Sequence, residues 1–116
     1  VVQVMILPRV SGVLFTVDPV HSERKTLVVE AVLGHSNALV SGEVTPDHYV
    51  LSRDDVRILE KEAVRYGEPV LSGDELKSLG SVGLRIETIL GKPADVEWAY
   101  DGDTLVVLQA RPVTGL

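Results

Sequence analysis

Cysteine is absent from these 116 residues, which excludes a disulfide framework and any thiolate metal site. A basic cluster is missing too. The formal charge is −6 and the isoelectric point about 4.9, an electrostatic balance that excludes a nucleic-acid surface. No apolar run approaches the roughly 18–20 residues of a membrane span, so no membrane association is expected, and a reducing cytoplasm suits the composition. The three histidines, His21, His35 and His48, fall in turn-like or loop contexts without metal-ligand spacing and read as ordinary surface histidines. No G-x-x-x-x-G-K-[ST] phosphate loop occurs.

What the chain does have is enough apolar material, 45% of its residues, for one domain with one core. Runs rich in Val, Leu and Ile predict strands at 1–7, 12–17, 26–33, 48–52, 56–61, 95–100 and 104–110. Pro8, Asp18-Pro19, Thr45-Pro46-Asp47 and Gly67-Glu68-Pro69 punctuate them. One long helix is predicted over 73–90. Ser72 and Glu75 have the spacing of a capping box, Gly91 suits the position after the last turn, and Pro93 prevents continuation. Within it Leu76, Leu79, Val82, Leu84, Ile86, Ile89 and Leu90 recur mainly at helical spacing, and the stripe from Ile86 to Leu90 reads as core. Gly80 and Gly83 weaken this helix by about 1 kcal/mol each relative to Ala. A short helical turn is expected near 36–40. The sum is α+β: a mostly antiparallel sheet with one long helix packed on it.

The last two strands form the most informative segment. They read as a β-hairpin around an Asp-Gly turn. Polar groups interrupt its apolar pattern at matching places: Asp95 and Glu97 on the first strand, Gln109 and Arg111 on the second. Strand side chains alternate faces, so each pair shares a face. Whether the two pairs share the same face depends on the connection. A two-residue loop at Asp101-Gly102 separates Glu97 from Gln109, whereas a three-residue loop or a bulge brings them together. In the second case Val96, Trp98, Tyr100, Val106 and Leu108 make the core face. Two carboxylates, an amide and a guanidinium together suit a divalent metal and a phosphate. Taken alone, they fit an exposed ladder of cross-strand ion pairs better.

Several segments in order resemble one family. These are Ser11-Gly-Val-Leu-Phe-Thr-Val-Asp-Pro19, Leu39-Val-Ser-Gly-Glu-Val-Thr-Pro-Asp47, Asp95-Val-Glu-Trp-Ala99 and Leu108-Gln-Ala-Arg-Pro-Val-Thr114. The chain resembles the C-terminal part of the ATP-grasp nucleotide-binding domain of phosphoenolpyruvate synthases and pyruvate phosphate dikinases, a domain shared by rifampicin phosphotransferases. The resemblance implies a lobe, residues 1–116, of a domain that binds Mg·ATP and passes phosphoryl groups to a histidine on another domain, and from there to pyruvate or a drug. It implies Glu97 and Gln109 as Mg²⁺ ligands, Asp95 in support and Arg111 at the phosphate. It also implies that Gln3, Val4 and Met5 line the adenine pocket. The cofactors implied are ATP and Mg²⁺; the partners are an upstream ATP-grasp lobe and a phosphohistidine domain. The chain is accordingly expected to be an excised piece of a longer protein, with some risk of self-association. A non-catalytic nucleotide-binding or interaction module is the alternative.

This chain departs from the family pattern at Gly34-His-Ser-Asn37, where relatives often carry a Gly-Leu-Gly-Glu-type stretch. Gly12 and Gly42 read as backbone requirements, a bulge or a close approach. Thr16 and Asp18 are candidates to cap the Asp-Pro turn. Asp54, Asp55, Glu60 and Glu62 read as a solvated face. Glu30 stands alone in an apolar strand and is a candidate buried carboxylate near the site.

Overall fold

The computed structural model describes residues 9–17, 26–33, 47–56, 58–62 and 71–113. Six strands and one helix follow in the order β1 (Val10–Phe15), β2 (Thr26–Leu33), β3 (Asp47–Ser52), β4 (Ile58–Glu62), α1 (Gly73–Leu90), β5 (Ala94–Asp101) and β6 (Thr104–Pro112). The sheet order is β4-β3-β2-β1-β5-β6, and every neighbouring pair is antiparallel. The first four strands therefore make a meander. After it, α1 carries the chain across the sheet so that β5 pairs on the far side of β1. The expected α+β arrangement, a helix packed on an antiparallel sheet, is the one found.

Strand boundaries follow the apolar runs with small shifts. β1 begins two residues before its expected start, because Val10 already pairs with Leu33 on one side and Tyr100 on the other. β6 extends to Pro112, opposite Ala94. His48 lies inside β3 rather than in a loop. The expected strand at 1–7, the turn near 36–40, and His21, His35, Gly42 and Asp18 lie outside the described residues.

The core occupies one face of the sheet. Val10 and Leu14 of β1, Leu27, Val29 and Ala31 of β2, Tyr49 and Leu51 of β3, and Ala94, Val96, Trp98 and Tyr100 of β5 meet Leu71, Leu76 and Leu79 from the helix side. Trp98 and Tyr100, two residues apart on one strand, contact edge to face at 6.0 Å. Full burial of each large apolar side chain contributes on the order of 1.5–3 kcal/mol.

The helix ends where its caps dictate. The Ser72 side chain accepts from the Glu75 N–H while the Glu75 carboxylate accepts from the Ser72 N–H, so the capping box is formed. Gly91 terminates the helix with φ of 70°. The packing of its body differs from the periodic reading. The closest contact runs through Gly80 and Gly83, both buried. A Cβ on Gly80 would stand 2.3 Å from Val56 Cγ1, and one on Gly83 would stand 2.5 Å from Leu14 Cδ2. The glycines thus let the helix settle onto the sheet, an effect their propensity cost does not register. Ile86 and Leu90 pack only partly against the core, and Ile89 is 80% exposed. The stripe at Ile86–Leu90 is therefore half-covered rather than core, and an open groove separates it from Val107 and Ala110 of β6.

Two arginines fasten the helix to the sheet. Arg9 pairs with Glu75, donates to the Gly102 carbonyl at 3.2 Å and stacks over the Tyr100 ring at 5.6 Å. Arg53 pairs with Glu87 and donates to the Thr16 carbonyl at 2.8 Å. Burial alone would raise the pKa of Glu75, but the Ser72 N–H and the Arg9 guanidinium outweigh it and hold that carboxyl below its ordinary range. The Thr16 hydroxyl accepts from the Ala94 N–H at 2.7 Å, which ties the start of β5 to the end of β1; the Asp-Pro turn lies outside the described residues.

Candidate nucleotide-binding face

The face of the sheet opposite α1 carries the polar residues of the hairpin. β5 and β6 are joined by two residues, Gly102 and Asp103, with Asp101 paired to Thr104. Gly102 takes φ of 60°, and the first loop position of a II′-type hairpin calls for glycine on that ground. Continued regularly, this register would set Glu97 opposite Leu108 and turn Gln109 to the core side. It does not continue. The ladder shifts between Trp98 and Glu97, from Trp98 opposite Val107 to Glu97 opposite Gln109, leaving Leu108 as the extra residue of a β-bulge.

The bulge settles the question of parity. Glu97 faces Gln109 and Asp95 faces Arg111, so all four groups share one face. The odd residue sits inside β6 and not in the turn. The same register corrects two core assignments. Leu105 and Val107 stand opposite Tyr100 and Trp98, while Val106 pairs with Ala99 on the other face and Leu108, in the bulge, is 49% exposed. Val96, Trp98 and Tyr100 are core as expected.

Hydrogen bonding separates the four groups into two kinds. Arg111 Nε approaches Asp95 Oδ2 at 3.5 Å, an open contact with the arginine side chain 60% exposed. Such surface pairs contribute little to stability. The ion-pair ladder accounts for those two residues. It does not account for Glu97 and Gln109, which face one another without a hydrogen bond and have no other partner among the described residues. Both offer oxygen. A carboxylate and an amide oxygen, opposed across two strands, form a donor set that Mg²⁺ accepts when phosphate and water supply the remaining ligands. No group of three His, Asp or Glu able to cage a metal by itself occurs among the described residues. Gln3, Val4 and Met5 lie outside the described residues, as does the Gly34–Asn37 stretch.

The pairing of β1 with β2 and β5 places further residues on this face. Val13 pairs with Glu97 on one side and with Glu30 on the other, and Glu30 pairs with His48. The row Gln109–Glu97–Val13–Glu30–His48 therefore crosses five strands. Local periodicity could not have revealed it, because the adjacency of β1 and β5 spans more than 80 residues of sequence. Gly12 is its lock. A Cβ there would lie 1.9 Å from the Glu30 carbonyl oxygen, so the expected close approach is real.

The helix side offers a different surface. An open groove of about 400 Å³ runs between α1 and β6, lined by Val82, Arg85, Ile86, Ile89, Leu90, Val107 and Ala110. It is apolar apart from one guanidinium and lacks the acidic and amide oxygens that a metal–nucleotide requires. The described residues include no helix long and apolar enough to cross a membrane.

Fold and polar face together define a unit of one antiparallel sheet and one packed helix, with Asp95, Glu97, Gln109 and Arg111 on the face away from the helix. Comparison with known proteins gives the particular family: the profile described as pyruvate phosphate dikinase, AMP/ATP-binding domain, matches residues 1–66 and 62–116, and the chain belongs to that family. A probable phosphoenolpyruvate synthase of Methanocaldococcus jannaschii is 38% identical over 138 aligned positions, covering 100% of this chain and 12% of its own length. A rifampicin phosphotransferase of a Streptomyces species is 39% identical over 100% of this chain and 16% of its own length. A probable phosphoenolpyruvate synthase of Archaeoglobus fulgidus is 40% identical over 98% and 18% respectively. The chain thus spans between 12% and 20% of the curated relatives it matches.

Proposed function

We propose that this chain is the C-terminal lobe of an ATP-grasp domain in a dikinase-type phosphotransferase, where it binds Mg·ATP for transfer to a histidine on another domain. The observation that carries the reading is the bulge at Leu108. It spends an irregularity to bring two unpartnered oxygen donors, Glu97 and Gln109, face to face.

In this reading Glu97 and Gln109 hold Mg²⁺, with Asp95 in support, and the bound ion supplies charge neutralisation along the polyphosphate. Arg111 exchanges its loose contact with Asp95 for non-bridging phosphate oxygens, which a guanidinium fork fits in bidentate fashion. Phosphoryl transfer needs mostly positioning and charge stabilisation. A lobe without a nucleophile of its own is therefore sufficient for its share. Gln3, Val4 and Met5 line the adenine pocket, and the upstream lobe closes over the nucleotide. Pyruvate is the final acceptor in the synthase form of this reading. A rifampicin phosphotransferase form is supported by the 39% identity of one such relative across the whole chain.

Glu97→Ala in the full-length protein should lower ATP-dependent phosphotransfer by at least about 100-fold, the usual cost of a lost electrostatic group at a reacting phosphate. Thermal unfolding should be unchanged, because Glu97 makes no described hydrogen bond. Turnover retained at saturating Mg·ATP would remove Glu97 from the site.

A further inference from the structure

Thr16 stands one residue past the end of β1 and is fully buried. Its N–H donates to the Ala94 carbonyl at 3.0 Å. In a regular antiparallel pair the return bond runs from the Ala94 N–H to the Thr16 carbonyl. That carbonyl is already taken: Arg53, the residue after β3, donates to it at 2.8 Å and pairs with Glu87 in the last turn of α1. The Ala94 N–H goes instead to the Thr16 hydroxyl, at 2.7 Å. A side-chain oxygen thus completes the last rung between β1 and β5, while the displaced carbonyl anchors α1 and the end of β3 at the same point.

We propose that Thr16 is a positioning residue of the nucleotide site, its hydroxyl fixing Asp95 and, across the hairpin, Arg111. The inference rests on the reading of the hairpin face as the nucleotide site and adds to it a residue that touches no ligand. Thr16 lies on the helix side, where a Cβ on Gly83 would stand 3.4 Å from its Cγ2, so it acts only through β5. Asp95 follows Ala94 and lies between Phe15 of β1 and Arg111 of β6. Hydrogen-bonded pairs recur at every second residue of a ladder, so the next rung inward is Leu14 with Val96, and Asp95 sits between the two rungs. β6 cannot hold Asp95 against β1 by itself, because it is the edge of the described sheet and reaches β1 only through β5. Loss of the hydroxyl leaves the buried Ala94 N–H without an acceptor, which is costly, while Arg53 keeps the carbonyl that could replace it. The strand end that carries Asp95 then loosens, and with it the guanidinium opposite. Two-point recognition of phosphate by a guanidinium tolerates little displacement.

The test reads affinity in folded protein. Full-length wild type, Thr16→Val and Thr16→Ser are titrated calorimetrically with Mg·ADP at a temperature where circular dichroism shows each to be folded, so that lost stability alone cannot lower the affinity. Thr16→Val is nearly isosteric but lacks the hydroxyl, and should bind at least about tenfold more weakly than the wild type. Thr16→Ser keeps the hydroxyl and should bind within about threefold of the wild type. If Thr16→Val does not fold, the wild type carries the test. Coupling is reciprocal, so saturating Mg·ADP should slow hydrogen exchange at the Ala94 amide by at least about tenfold. A folded Thr16→Val with wild-type affinity, a Thr16→Ser as weak as Thr16→Val, or an Ala94 amide indifferent to Mg·ADP overturns the role of Thr16 while the nucleotide site stands. A wild type that does not bind Mg·ADP overturns the nucleotide reading itself.

Discussion

The two faces of the sheet are built on opposite principles. On the helix side, residues pack against one another: Leu76 and Leu79 fill the core, Gly80 and Gly83 let α1 come within reach of Val56 and Leu14, and Arg9 and Arg53 tie the helix at both ends, with the buried Trp98 indole N–H left without a hydrogen bond. On the other side, Glu97, Gln109 and Glu30 stand in register without described partners, and the contact between Arg111 and Asp95 is long and open. Departures from self-consistency in a folded chain concentrate where function is, and the oxygens of the second face are the ground for placing the proposed nucleotide site there.

The largest expected contrast is in stability. Trp98→Ala, on the closed face, should cost about 3–5 kcal/mol in denaturant unfolding, as large-to-small changes at fully buried aromatic sites do. Gln109→Ala, one strand away on the open face, should change stability by less than about 0.5 kcal/mol while weakening Mg·ADP binding. Equal stability losses at the two positions would break the distinction between the faces.

A smaller effect sharpens the closed side. Glu75 is bound by Ser72 and Arg9, so its folded-state pKa lies below the unfolded value near 4.5. Its contribution is therefore fully present above that value and lost as pH falls through the folded one. The unfolding midpoint of the wild type should exceed that of Glu75→Gln at pH 7, with the gap closing as pH falls below the ordinary glutamate range. A gap that persists in strong acid would mean that charge at the helix start is not what matters. Because Arg9 is 41% exposed at its side chain, the difference should also shrink with salt.

How much of this was legible in the residues follows the range of each interaction. The ends of α1 could be placed from Ser72, Glu75 and Gly91, because capping is decided within one turn of chain. The polar groups of the hairpin were visible as breaks in an alternating pattern. Their common face was not, since it turns on Leu108, an ordinary apolar residue in an ordinary apolar run. What selects the bulge is non-local: without it Gln109, and not Ala110, would stand opposite the core residue Val96. Ile89 misled for a related reason. Periodicity reports that a helix has an apolar stripe, not which part of the stripe a neighbouring strand reaches, and the deepest contact fell on two glycines that carry no hydrophobic signal. The row through Val13 needed the β1–β5 pairing, which no local pattern contains.

The most direct measurement is hydrogen–deuterium exchange of the full-length protein with and without saturating Mg·ADP. Slowed exchange should fall on peptides covering Asp95–Glu97 and Gln109–Arg111, with β1 around Val13 following, and should require Mg²⁺; α1 should be indifferent. Slowing confined to α1 and the groove at Ile89 and Val107, or no Mg²⁺-dependent change in the hairpin, would contradict the assignment of the open face as the nucleotide site.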